Sequence, residues 1–313
     1  MDQYLISVNE ARSEFGVCRS LSSRPFPKYG PGQLWETVAG EIQKMGGTIL
    51  KNCRVSRFNA ANNSIQSICY EFNGETHTLD GDVFLSSMPV RDLVGGMTGV
   101  SVPNDIAQAA KDLPYRDFIT VGILTNRLNI RNRTKIKTVS DIIPDCWIYI
   151  QEPDVKVGRL QIFNNWSPYM VHDIANTVWV GMEYFCNEGD SFWEMEDNAC
   201  ISFAIEELQK IGIINKNEVL NSTRVKIKKA YPAYFGSYGQ FGLVQEFLDE
   251  FDNLYCIGRN GQHRYNNMDH SMLTAMEAVK NILVGKTDKS NIWSVNAEKE
   301  YHETDEKASN SNM

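Results

Sequence analysis

Gly-Arg-Asn-Gly-Gln-His-Arg-Tyr-Asn-Asn-Met-Asp-His-Ser-Met, residues 258 to 272, is the stretch on which the reading of this chain turns. It follows Leu254 to Ile257, an apolar run of strand length. It leads into Met272, Met276, Val279 and Leu283, whose three- and four-residue spacing predicts one face of a helix. A strand, a glycine-containing loop and a helix start with Asn267, Asp269 and Ser271 near the cap bring backbone N–H groups and the positive end of the helix dipole to one place. That arrangement suits a phosphate or an electron-rich carbonyl oxygen. An ordinary capped helix behind a loop gives the same pattern, so the stretch alone leaves both readings open.

Three other segments carry chemistry. Pro-Lys-Tyr-Gly-Pro-Gly-Gln-Leu-Trp at 27 to 35 places Gly30 and Gly32, then Gln33 and Leu34, ahead of a helix in which Leu34, Val38, Ile42 and Met45 share a face before Gly46 and Gly47 stop it. Glycine there permits close approach of a flat ligand, and equally a simple tight turn. Ser86, Ser87, Met88 and Pro89 end the apolar run Val83 to Leu85, at the strand-end position where open α/β sheets hold ligands. A plain strand terminator fits as well. Arg159, Phe163, Asn164, Asn165, Trp166, Ser167, Pro168 and Tyr169 crowd one short stretch, and Tyr231, Pro232 and Tyr234 follow later. Aromatics and amides beside an arginine suit a nucleotide-sugar, through stacking, hydroxyl hydrogen bonds and a charge-assisted diphosphate contact. A packed sheet core with a polar edge accounts for most of the same residues.

Between these segments the patterning is mixed α and β. Thr48 to Phe72 reads as strands around an Asn62-Asn63 turn, and a helix runs from Asn104, the expected cap, to Leu113. Aromatic and β-branched stretches at 118–125, 147–150, 159–164 and 178–185 predict an antiparallel sheet, with a further strand near 224–230. Ile201, Ile205, Leu208 and Ile211 predict an amphipathic helix. Residues 1–24 are a lead-in without a clear period. From about Lys286 the tail is charged and loosely ordered in expectation.

Composition narrows the classes. With 42% hydrophobic residues in 313 the chain can bury a sizeable core, and its net charge of -8 argues against a general nucleic-acid or anionic-membrane binder. Seven scattered cysteines without a CxxC pair predict reduced core thiols, and the five histidines show no metal-ligand spacing, so no metal is expected. Neither a membrane-length apolar run nor a secretory leader pattern is present, which predicts a cytoplasmic protein.

Taken in this order, the four segments resemble the FAD-dependent amine oxidase superfamily, which includes protoporphyrinogen oxidase, phytoene desaturase and UDP-galactopyranose mutase. The Phe-Asn-Asn-Trp-Ser-Pro-Tyr run at 163 to 169 and the Asn-Met-Asp-His-Ser ending at 267 to 271 look most like the mutase branch, and the resemblance runs from about Pro27 to Leu283. It implies an α/β fold, α and β mixed, with a partial FAD/NAD(P)-binding domain (25–97 and 251–285), an inserted antiparallel-sheet substrate domain (98–250) and a tail (286–313).

The resemblance also implies roles. FAD would meet Gly30, Gly32, Gln33, Leu34, Val55, Ser87, Met88, Pro89, Gly258, Arg259, Asn267, Met268, Asp269 and Ser271, with Val55 at the adenine end. Arg259 and Arg159 would hold a sugar-nucleotide diphosphate. Phe163, Asn164, Asn165, Trp166, Tyr169, Tyr231, Tyr234 and Tyr265 would line the substrate pocket. The implied reaction is ring contraction of a nucleotide-sugar by reduced FAD, for cell-surface polysaccharide or lipopolysaccharide synthesis, without net redox change. A small-molecule FAD-dependent oxidoreductase and an inactive fragment are the alternatives. Two departures stand out: nothing before Pro27 matches the strand and GxGxxG turn that open the family, and Asn267 replaces the Asp common in bacterial mutases, as in the eukaryotic type.

Overall fold

A computed structural model describes residues 27–296. These form two compact units, one made of 27–51 and 116–230, the other of 52–115 and 231–296.

The first unit begins with α1 (Gly32–Lys44). Left-handed glycines bracket it, Gly30 at φ 88° and Gly46 at φ 90°, which is the backbone conformation that excludes other side chains most strongly. Its Val38, Ile42 and Met45 stripe keeps the expected spacing, but none of the helix is buried among the described residues.

The second unit then opens with an antiparallel meander, β1 (Arg54–Ala61), β2 (Ser64–Phe72) and β3 (Glu75–Asp80). Asn62 and Asn63, at φ 50° and 58°, make the first hairpin turn, as their type predicts. The sequence reading stops at Phe72. Asn73-Gly74 behind it forms a second left-handed turn and adds β3. Next come β4 (Phe84–Ser86), α2 (Val90–Gly95), β5 (Met97–Thr98), parallel to β1, and α3 (Asn104–Lys111). Pro103, not Asn104, occupies the cap of α3, its fixed φ holding the extended conformation a cap requires.

In the first unit β6 (Tyr115–Thr125), β7 (Trp147–Tyr149), β8 (Arg159–Ile162), β9 (Val178–Cys186) and β10 (Val219–Pro232) form one five-stranded sheet in the order β10-β6-β9-β8-β7. The expected strand beyond Ile162 is instead a single helical turn, α4 (Phe163–Trp166). One face of the sheet is the core. Ile119, Val121, Leu160, Ile162, Val180 and Met182 pack there with Cys200, Ala204 and Leu208 of α5 (Asp197–Lys210). Period 2 in the strands and period 3.6 in the helix turn the apolar residues toward one another.

The second unit resumes with α6 (Phe241–Asp249), β11 (Leu254–Cys256), α7 (Gly258–Gly261), α8 (Met268–Val284) and α9 (Ser290–Trp293). β11 pairs with β4 in parallel. The core of this unit gathers Phe58, Ile65, Leu93, Leu113, Val244, Phe247 and Leu254. The mixed α and β architecture is the one expected. The six described cysteines, 53, 69, 146, 186, 200 and 256, form no disulfide among the described residues, and Cys18 lies outside them. No described helix is long and apolar enough to cross a membrane.

Candidate functional site

In the first unit, register decides what surrounds Arg159. It stands opposite Glu183 of β9 and Tyr149 of β7, on the sheet face away from α5. Its Nε donates to Glu183 Oε2 at 2.6 Å, Gln161 Nε2 donates to the other carboxylate oxygen, and the guanidinium lies 5.7 Å from the centroid of Tyr149. Glu183 is 1% exposed, so its charge is held by these partners rather than by water. Sequence reading missed Glu183; the alternation of β9 was the available signal.

Two glycines flatten this face. Gly122 and Gly181 are register partners, and a Cβ on Gly181 would lie 2.9 Å from the Phe163 ring, one on Gly122 2.9 Å from Trp179. Phe163 therefore rests directly on the strand. Asn164 and Asn165, both buried, spend their amides on backbone: Asn164 donates to Thr177 O and accepts from Trp179 N–H, while Asn165 donates to Ile143 O and Asp145 O. Trp166 donates to Cys146 O at 3.2 Å and its ring lies 5.1 Å from that of Trp147. These amides and this indole fix the turn, and Tyr169, exposed, is the ring of the run that faces outward.

The glycine segment of the same unit lies against that turn. Ser167 Oγ donates to Lys28 O at 2.6 Å, Tyr29 meets Tyr169 edge-on at 6.2 Å, and Lys28 Nζ sits 4.2 Å from the Tyr169 centroid. Gly30 is brought next to Met170, while Gly32, Gln33 and Leu34 form the first turn of α1.

The second unit holds the stretch at 258–272. Gly258 is left-handed, φ 73°, and its N–H donates to Thr274 Oγ1 at 2.8 Å. Gly261 must be glycine, because a Cβ would lie 2.4 Å from Ser86 O. Asn267 caps α8 in a capping box with His270, and Met268, Asp269 and Ser271 fill the first turn. Arg259 is clasped by rings, 4.8 Å from the centroid of Tyr265 and 5.4 Å from that of Tyr231, and its Nε donates to Asn266 O at 2.8 Å. Tyr231 and Tyr265 stack at 5.6 Å with 12° between planes, and the Tyr234 hydroxyl accepts the Tyr265 N–H. Four residues singled out from sequence, Arg259, Tyr231, Tyr234 and Tyr265, thus meet in one cluster.

A cavity of about 760 Å³ in the same unit is lined by Val55, Ser86, Ser87, Met88, Arg54, Arg91 and neighbours. Pro89 follows Met88 as the cap of α2. Val55 and the Ser87-Met88 pair, remote from it in sequence, share this cavity, and Ser86 Oγ is buried there without a hydrogen-bond partner among the described residues. Among the described residues no group of three or more His, Cys, Asp or Glu is placed to hold a metal.

No family model matches the chain. A crystal structure of reduced UDP-galactopyranose mutase superposes with a TM-score of 0.69 at 19% identity, covering 87% of this chain and 56% of that one. The described residues share the fold of that mutase over this span. A protein assigned as protoporphyrinogen oxidase from Exiguobacterium sp. 255-15 superposes with a TM-score of 0.52 at 12% identity over 75% of this chain and 47% of that one. The chain spans about half the length of these two proteins.

Proposed function

We propose that this chain contributes the flavin-edge and substrate parts of a nucleotide-sugar mutase of the UDP-galactopyranose mutase type, acting in the cytoplasm on precursors of cell-surface polysaccharide or lipopolysaccharide. The observation that carries this reading is the cluster in which Tyr231 and Tyr265 hold the Arg259 guanidinium. A cation held beside a stacked ring pair, with Tyr234 bound to the same stretch, offers what a nucleoside diphosphate sugar needs: charge for the diphosphate and flat surfaces for the sugar. The inserted sheet serves as the substrate domain in this reading, and 25–97 with 251–285 as the part that receives FAD.

The residues present fit FAD in part. The cavity with Val55, Ser87 and Met88 takes a flat group of nucleotide size, and the unpartnered Ser86 Oγ offers it a hydrogen bond. Bound reduced flavin supplies the nucleophile for opening and reclosing the sugar ring. The chain's own part is charge and position. Arg259 stabilises the departing diphosphate, and its loss would cost on the order of 2 to 4 kcal/mol of transition-state stabilisation. Arg159, engaged by Glu183, is the second candidate cation.

Titration calorimetry with UDP on the 313-residue chain tests the nucleotide site. Saturable binding that Arg259→Ala abolishes supports the reading. A chain that does not bind UDP yet carries a flavin absorbance spectrum bleached by an amine or a porphyrinogen moves the assignment to the oxidoreductases of this fold.

A further inference from the structure

His263 belongs to none of the roles above, yet with Gln262 it is fully enclosed within the 258–272 stretch. It is 0% exposed, its backbone is left-handed at φ 45°, and aromatic rings wall it in: Tyr115 edge-on at 4.7 Å, Tyr238 at 5.8 Å and Phe241 at 5.9 Å. Its Nε2 lies 3.2 Å from Ala233 O, and Nδ1 has no hydrogen-bond partner among the described residues. A carbonyl only accepts, so the proton sits on Nε2 and the ring donates to Ala233. Burial pulls the imidazole down to about 4, so the ring stays neutral at physiological pH and this donor does not switch.

Ala233 lies between Tyr231 and Tyr234, the two rings that this short segment contributes to the arginine cluster. Its N–H donates to Pro114 O at 3.0 Å and its carbonyl accepts the hydrogen bond from His263 Nε2, so the segment is held at one residue by both of its backbone groups. From that anchor Tyr231 stacks on Tyr265 and the Tyr234 hydroxyl receives the Tyr265 N–H. Arg259 and Tyr265 are carried by the same stretch as His263. One imidazole therefore ties the two segments that clasp the guanidinium.

We infer that His263 is the positioning residue of the arginine-tyrosine cluster, setting the distance between the Tyr231–Tyr234 segment and Arg259 and so the affinity of the site for a nucleoside diphosphate. The affinity part rests on the proposed nucleotide reading; the tie between segments does not.

Two variants separate donor from volume. His263→Phe keeps a ring in the aromatic pocket and deletes the donor, leaving Ala233 O buried without a partner. His263→Gln restores an amide N–H near the Nε2 position. Amide hydrogen exchange by mass spectrometry is expected to quicken in His263→Phe at Ala233 and Tyr265 and to stay unchanged across Phe241–Asp249, with Gln returning both sites to wild-type protection. UDP affinity by calorimetry is expected to fall about tenfold in the Phe variant and recover in the Gln variant. Unchanged exchange at Ala233 and Tyr265 overturns the inference. Faster exchange throughout 231–296, or no rescue by Gln, also overturns it, because His263 is then only packing. If wild-type protein does not bind UDP, the nucleotide reading fails, and the exchange pattern still decides whether His263 ties the segments.

Discussion

Arg159 and Glu183 face each other across adjacent strands, Nε to Oε2 at 2.6 Å, with the carboxylate 1% exposed and the guanidinium partly open to solvent. A buried carboxylate that loses its cation keeps its desolvation cost and loses its compensation. Arg159→Ala is therefore expected to destabilise the fold by about 3 to 5 kcal/mol, read from urea denaturation. Replacing both residues, Arg159→Met with Glu183→Gln, is expected to recover more than half of that loss. A single variant as stable as wild type would show the pair to be energetically idle, and Arg159 free for another task.

His263 makes stability depend on pH. Its folded pKa, about 4, lies below the ordinary value of 6.5, so between these values the unfolded chain binds the extra proton. The contribution is complete above pH 6.5 and is lost as pH falls toward 4, amounting to about 3 kcal/mol. Urea midpoints measured from pH 7 to pH 4 are expected to fall more steeply for wild type than for His263→Gln, the difference isolating this group from the carboxylates.

Gly181→Ala tests the flat face. The new Cβ would lie 2.9 Å from the Phe163 ring, and strand backbone on one side with a ring on the other leaves little room to relax. The expected cost is about 1 to 3 kcal/mol, seen as a lower thermal midpoint, with faster hydrogen exchange at Phe163–Trp166. Gly189→Ala, at an open turn where a Cβ meets nothing and only the left-handed backbone, φ 89°, is strained, separates conformational strain from the collision at Gly181.

Lys289 is a buried cation that serves backbone. Its Nζ donates to Phe251 O at 2.6 Å and Asp249 O at 3.4 Å, satisfying carbonyls at and just beyond the end of α6, and lies 5.4 Å from the Tyr255 centroid. Burial holds its amine below the ordinary lysine range, with Asp249 opposing. Lys289→Met keeps the volume and removes the donors, for an expected loss of about 1.5 to 3 kcal/mol by chemical denaturation.

Elements with a strong local signal were legible in the chain. Leu34, Val38 and Ile42 mark α1, Met272 to Leu283 mark α8, and the Asn62-Asn63 turn marks the first hairpin, because side-chain periodicity and turn chemistry are properties of neighbouring residues. The capping role of Asn267 was legible for the same reason. Short elements such as α2, α7 and α9 were not, since four to six residues complete barely more than one helical turn and show no period.

By itself the sequence determined the mixed α and β class, the long elements and their turns, and the grouping of an arginine with aromatics and amides. Only the tertiary structure decided which of those side chains are occupied elsewhere. Asn164 and Asn165 read as ligand-facing amides and are spent on Ile143, Asp145, Thr177 and Trp179 backbone; Arg159 reads as a free cation and is held by Glu183. Arg259, Tyr231 and Tyr265 meet, and His263 ties Ala233 to the same stretch. Each outcome depends on register and burial between residues remote in the chain. A local pattern carries no information about them, because the partner that satisfies a polar group is chosen by packing and not by its sequence neighbours.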